Sequence, residues 1–151
     1  MDNAFYRPAS LEGARMKTNY LAVIVSAIVY WLIGGLWFAL LFGKQWMALE
    51  HISEAQAMGI NPAVPYVVSF LLDILIAFVL AQLCAWRNAT TAARGASLGV
   101  FLWLGIVAPV TYTTNMYEMR PINLFLINEG YVLVGFLVMG AILGAWTKKS
   151  S

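Results

Sequence analysis

Residues 20–42 read YLAVIVSAIVYWLIGGLWFALLF, without one charged side chain. A helix needs about 20 mostly apolar residues to cross a bilayer, so this stretch is long enough by itself. Three more stretches of the same kind follow. Residues 65–86 carry one charge, Asp73, and residues 95–114 carry none. The last begins between Pro121 and Phe125, about residue 123, and runs to Trp146 with one charge, Glu129. Inside a bilayer every backbone polar group must be bonded within its own segment, so each stretch is expected to be a helix. Strand-like alternation, the mark of a membrane barrel, is absent.

The whole chain agrees with these windows. Of 151 residues, 62% are hydrophobic and 11% charged, with mean hydropathy +0.77. Soluble domains run at about 45–50% apolar and about 25% charged, which excludes a water-soluble enzyme. Nine Lys and Arg against seven Asp and Glu leave +2, with no basic cluster for nucleic acid. One cysteine and one histidine exclude a disulfide framework and a His-rich metal site. The expected fold class is all-α: an integral membrane four-helix antiparallel bundle, residues 18–147, with a flexible cytoplasmic arm (1–17) before it and a cytoplasmic tail (148–151) after it.

Short flanks set orientation through their Lys and Arg. Arg7, Arg15, Lys17, Arg87, Arg94, Lys148 and Lys149 fall on one side, and only Lys44 and Arg120 on the other. Seven against two places both termini in the cytoplasm. Met16 offers a second candidate start. The first span is too long for a signal-peptide core and is expected to be retained.

The connection from Gly43 to Ala63 has structure of its own. Trp46, Met47, Leu49, Ile52, Ala55 and Met58 recur at helical spacing before Gly59 and Asn61-Pro62. This predicts a short amphipathic helix in the outer interface. Lys44, Trp46, Trp86 and Trp146 are the expected interface anchors. Ser53 and Gln56 match a capping box, which would split the segment in two.

Two acids stand inside the spans, each eight residues after a proline: Pro65…Asp73 and Pro121…Glu129. Proline favours the first helical turn, which would set both acids about 12 Å down their helices at 1.5 Å per residue. Both helices end in Ala-Trp, and the preceding helices share Trp31-Leu and Trp103-Leu. This is the pattern of two repeated hairpins, or of chance in an apolar chain.

A charge at mid-membrane costs several kcal/mol, so Asp73 must face other helices or water, or be held as the neutral acid. Ser69, Ala77 and Cys84 share its stripe, a narrow face suited to packing. Asp73 is thus either a proton or cation site or a hydrogen-bonded packing residue. Glu129 has polar company in Thr111, Thr114, Asn115, Arg120, Asn123 and Asn128. That group makes either an outward cavity gripping a polar ligand or a cluster closed by an Arg120–Glu129 pair. Glu129, Phe136 and Gly140 share a face, so the acid points to an interface. Gly95 with Gly99, and Gly140 with Gly144, have the four-residue spacing that permits close helix approach and are the expected packing glycines. Pro109 leaves the Gly105 carbonyl without its partner and is expected to kink the third span. His51 reads as a headgroup-level loop residue, and Asn88-Ala-Thr90 as a glycosylation acceptor on the wrong side. No nucleophile–base pair, phosphate loop or metal-ligand motif is present, so no enzyme, cofactor or metal is expected.

Several stretches in order carry a resemblance: Asn19-Tyr-Leu-Ala-Val, Gly35-Leu-Trp-Phe, Leu41-Phe-Gly-Lys-Gln-Trp-Met47, Phe101-Leu-Trp-Leu-Gly105, Leu124-Phe-Leu-Ile-Asn128 with Tyr131, and Met139-Gly-Ala-Ile-Leu-Gly-Ala-Trp146. From Lys17 to Trp146 the chain resembles the bacterial membrane family called domain of unknown function 1761. The resemblance implies a four-helix protein of the bacterial cytoplasmic membrane and no assigned activity. It points to Trp37, Phe42, Gly43, Lys44, Trp46, Asn115, Arg120, Asn128 and Tyr131.

Three functions remain open. The first is a non-enzymatic accessory or structural subunit. The second is an oligomeric transporter or channel with Asp73, Glu129 and the Thr111–Asn128 cluster, Tyr131 included, as its path. The third is a lipid-binding protein with a lateral groove. Expected partners are membrane lipids and either a second copy or another membrane protein, not nucleic acid.

Overall fold

The computed structural model describes residues 18–147, so the arm, the tail and five of the seven cations assigned to one side lie outside the described residues. The described chain is helical, with no strand. Four helices are long and apolar enough to cross a membrane: α1 (Tyr20–Leu41), α4 (Ala63–Trp86), α5 (Ala92–Tyr117) and α6 (Ile122–Ala145). Two short helices, α2 (Gly43–Leu49) and α3 (Glu54–Gly59), fill the connection after α1.

Helical spacing alone predicts one helix there; two are present, the split that the Ser53–Gln56 capping box implies. Ser53 Oγ accepts from Gln56 N while Gln56 Oε1 accepts from Ser53 N, so a full capping box starts α3. The break before it is His51, at φ 56°. His51 is followed by Ile52 N bonding back to the Met47 carbonyl at 2.9 Å, the wrap that ends a helix in a left-handed residue. The same ending recurs at Asn88 (φ 51°) after α4 and Met119 (φ 55°) after α5. There Ala89 N bonds Cys84 O at 2.8 Å and Arg120 N bonds Asn115 O at 3.0 Å. Asn88 is therefore a helix terminator.

α1 and α5 each contain one wide π-turn. Phe42 N reaches the Trp37 carbonyl at 2.8 Å, and Ala108 N reaches the Trp103 carbonyl. In α5 the wide turn immediately precedes Pro109 and takes up the irregularity that proline imposes.

The core is asymmetric along the bundle. Buried residues of α1 end at Tyr30, after Ala22, Val23, Ser26 and Ala27. Those of α4 begin at Asp73 and continue through Ala77, Leu80, Ala81 and Cys84. At this closed end Asn19 caps α1 and donates its Nδ2 to the Trp146 carbonyl at 3.0 Å, while Thr18 Oγ1 meets Gln82 Oε1 at 2.5 Å. At the other end residues 31–41 and 63–72 contain no buried position. Most of the apolar surface points outward: only 17% of the hydropathic window of α5 is buried within the chain. Water does not tolerate so large an apolar surface on a monomer.

Between α5 and α6 the packing is backbone on backbone. A Cβ at Gly95 or Gly140 would run into the other's carbonyl, and one at Gly99 into the carbonyl of Phe136. Gly144 is buried in the same contact, but a Cβ there would strike the carbonyl of Thr91 and the backbone of Gly95. The two four-residue motifs therefore do not meet glycine for glycine, as their matching spacing suggests. They pack one turn out of step: Gly140 and Gly144 both straddle Gly95, Gly144 extends the contact down to the cap of α5 at Thr91, and Gly99 lies against Phe136. The offset sets Thr91, the cap of α5, level with the last turn of α6. Lipid tails are as apolar as leucine, so small residues that let backbones touch are what hold such helices together.

Candidate functional site

Where α1 and α4 part, a cavity of about 790 Å³ lies between them. Its α1 wall runs over Trp31, Gly34, Gly35 and Phe38; its α4 wall is Tyr66, Ser69 and Asp73; Tyr131 of α6 closes the back. Gly35 has nothing within 4 Å of where a Cβ would stand, so the wall there is open space. Trp31 spans the gap: its indole N–H donates to the Tyr66 carbonyl at 3.3 Å, and it meets Tyr66 and Phe70 edge to face. Gly34 sits where a Cβ would press on the Tyr131 ring, which lets the tyrosine lie against α1.

Asp73 stands where the packed core ends and the groove begins. It is 6% exposed, and no hydrogen bond or ion pair reaches its carboxyl group among the described residues. Buried charges are ordinarily paired, so an unpaired acid facing a cavity is suited to a partner that enters from outside the chain. Behind it Tyr131 stacks on buried Tyr30 with centroids 4.7 Å apart and planes 11° from parallel. One turn from Tyr30, Ser26 is fully buried with its Oγ unpartnered. The sequence reading does not single out Ser26, Tyr30 or Trp31 as site residues. Alternation of small and aromatic side chains on α1 is their only signal.

Glu129 is the opposite case. It is 4% exposed, and the indole N–H of Trp103 donates to its Oε2 at 2.8 Å. The Arg120–Glu129 pair weighed from the sequence is not formed. Arg120 pairs with Glu50 at the end of α2 (2.9 Å) and with Glu118 (2.7 Å). The reason is local: Pro121 starts a new helix, so Arg120 lies in the turn above it and points at the acids of its own level. Thr111 Oγ1 bonds the carbonyl of Val107 and Thr114 Oγ1 that of Val110. Asn115 Nδ2 bonds the Arg120 carbonyl. These groups satisfy their own hairpin turn and do not form one path with Asp73. Asn123 lies apart, at a second pocket of about 470 Å³ beside α2. Of the expected path, only Asp73 and Tyr131 line the groove.

Residues 21–144 match the family described as "Protein of unknown function (DUF1761)". The chain belongs to this family. No curated protein and no solved structure matches it. Within this DUF1761 chain, most positions carrying the resemblance meet at one corner. Trp37 packs on Phe42 with ring planes tilted by 40° (centroids 4.8 Å) and donates its indole N–H to the Ile127 carbonyl of α6. Phe38 contacts both Trp46 and Tyr131. A Cβ at Gly43 would strike the Phe38 carbonyl, so only glycine lets α2 turn off α1 there. Asn128 is half-buried; Lys44 and Trp86 are exposed, Trp86 at 75%. The DUF1761 corner thus ties α1, α2 and α6 together and positions Phe38 and Tyr131 at the back of the groove. Among the described residues no three His, Cys, Asp or Glu approach closely enough to hold a metal ion.

Proposed function

We propose that this DUF1761 member is a non-enzymatic, multi-pass membrane protein that binds a membrane-dissolved amphiphile in the groove between α1 and α4. One observation carries the reading: an aromatic-walled cavity of about 790 Å³ between α1 and α4, lined by buried Asp73, whose carboxyl group has no partner among the described residues. Its volume falls within the range of ligand pockets, about 300–1,000 Å³, and such pockets combine apolar walls with a few convergent polar groups. In this reading the long helices form an antiparallel bundle, and α2 and α3 lie in the outer interface. The Lys and Arg bias supports cytoplasmic termini, and the family resemblance supports a bacterial inner membrane. A groove between two membrane-spanning helices takes its ligand from the lipid phase, so lipids are partners whether the chain works alone, as a homo-oligomer or beside another membrane protein.

Gly35→Phe fills the groove at a position whose surroundings are empty. Native mass spectrometry after mild extraction is expected to show a hydrophobic adduct on the wild type and its loss in Gly35→Phe, with an unchanged unfolding midpoint. An adduct retained at full occupancy in Gly35→Phe would overturn the reading.

A further inference from the structure

We propose that the ligand of this groove is a hydrophobic organic cation, with its positive centre at Asp73 and its apolar groups among Trp31, Phe38, Tyr66 and Tyr131. The inference rests on the groove reading and specifies its ligand class.

Charge complementarity comes first. Asp73 is 6% exposed as a residue, lines the cavity, and its carboxyl group has no donor or cation among the described residues. Arg120 is engaged by Glu50 and Glu118 at the α5–α6 turn, and neither it nor Lys44 at the start of α2 lines the cavity. A ligand bearing one positive charge supplies what the fold leaves out, and an anionic lipid phosphate meets a like charge instead.

Wall chemistry comes second. Four aromatic rings line the cavity with Asp73. Aromatic faces attract ammonium, guanidinium and related cations, most strongly when water is excluded. A neutral acyl chain gains nothing from this arrangement over an aliphatic wall.

Coordination chemistry comes third and separates organic from inorganic cations. A hard metal ion takes six or more oxygen ligands, or keeps its own water. The cavity's side-chain oxygens are one carboxyl group, the Ser69 hydroxyl, itself bonded to the Tyr66 carbonyl, and the hydroxyls of Tyr66 and Tyr131. One acid surrounded by aromatic rings does not replace a hydration shell. It does pair with a cation whose charge is already wrapped in hydrocarbon.

The test uses two probes of one shape and opposite charge, tetraphenylphosphonium and tetraphenylborate. Binding to the full chain in a neutral detergent is followed by tryptophan fluorescence, with empty micelles as the blank. The wild type is expected to bind the phosphonium about tenfold or more tightly than the borate. Asp73→Asn is expected to erase that preference, and Asp73→Glu to restore most of it. Equal binding of the two probes by the wild type, with both lost in Gly35→Phe, overturns the cation assignment and leaves the groove reading standing. Binding of neither probe above the blank overturns both. A phosphonium preference unchanged in folded Asp73→Asn overturns the assignment to Asp73. Should Asp73→Asn fail to fold, the wild-type comparison of the two probes decides alone.

Discussion

The two halves of the chain are built from similar parts and closed in opposite ways. Each pairs a helix containing a π-turn with a helix that carries a proline near its start and an acid eight residues later. In the α5–α6 hairpin, glycines bring backbones into contact and Trp103 satisfies the acid. In the α1–α4 hairpin, burial stops halfway and Trp31 bridges the gap beyond it, the glycines Gly34 and Gly35 face a tyrosine ring and empty space, and the acid is left without a partner among the described residues. The same parts give a sealed pair in one half and an open groove in the other. What differs is where the small residues fall relative to the acid.

Placing a bulky residue at matching kinds of glycine breaks the comparison most severely. Gly140→Leu puts a side chain into the backbone of Gly95 and Ala96, which cannot move aside as a side chain would. Overpacking of a tight core costs about 1–3 kcal/mol where side chains can yield. Here the loss is expected to exceed that range, read as loss of monodisperse protein or a sharp drop in unfolding temperature. Gly35→Leu, in an equally apolar stretch, meets open space and gains helix propensity, about 1 kcal/mol relative to glycine. Its unfolding temperature is expected to hold or rise. Equal damage from both substitutions would mean the first hairpin is closed.

The acids sharpen the contrast at smaller amplitude. Trp103→Phe removes the indole donor and leaves Glu129 buried without its hydrogen bond, which costs about 1–3 kcal/mol. Asp73→Asn removes no bond, so its stability is expected to stay near that of the wild type while ligand binding changes. Chemical or thermal unfolding of the two variants side by side reads the difference directly. A destabilised Asp73→Asn beside an unaffected Trp103→Phe would exchange the roles of the two acids.

How much of this is readable from the sequence follows the range of each interaction. The four long helices are written in uninterrupted apolar runs, a local property. Their ends are less so: α5 starts at Ala92 because the Thr91 side chain caps it, and continues past the apolar run to Tyr117, with Thr113 and Thr114 bonded back to carbonyls of their own helix. The capping box of Ser53 and Gln56 is visible, and so is the split it implies, but not that the split falls at His51. The spacing of Gly95 with Gly99 and of Gly140 with Gly144 is plain in the sequence. That Gly144 reaches past Gly95 to Thr91, and leaves Gly99 to Phe136, is a tertiary fact. Asp73 and Glu129 look alike after their prolines. Only the reach of Trp103, 26 residues from Glu129, tells them apart. The groove leaves the weakest trace because it is an absence of packing between residues far apart in the chain.

The smallest effect concerns how the hairpins are joined. Neither the α4–α5 nor the α5–α6 connection uses glycine where the helix ends: Asn88 and Met119 take the left-handed conformation instead. Asparagine tolerates that region through its short polar side chain, whereas methionine gains nothing there and bears the steric cost of its Cβ, about 1 kcal/mol. Met119 is also 91% exposed, so its side chain contributes little packing to offset that strain. Met119→Gly is therefore expected to raise stability by up to about 1 kcal/mol, and Asn88→Gly by only a few tenths, given the small penalty asparagine carries there. A shift of unfolding temperature in this order would show that the α5–α6 turn, sealed by glycines below, is strained at its open end. A destabilised Met119→Gly would mean that the exposed methionine is held by a partner or by lipid.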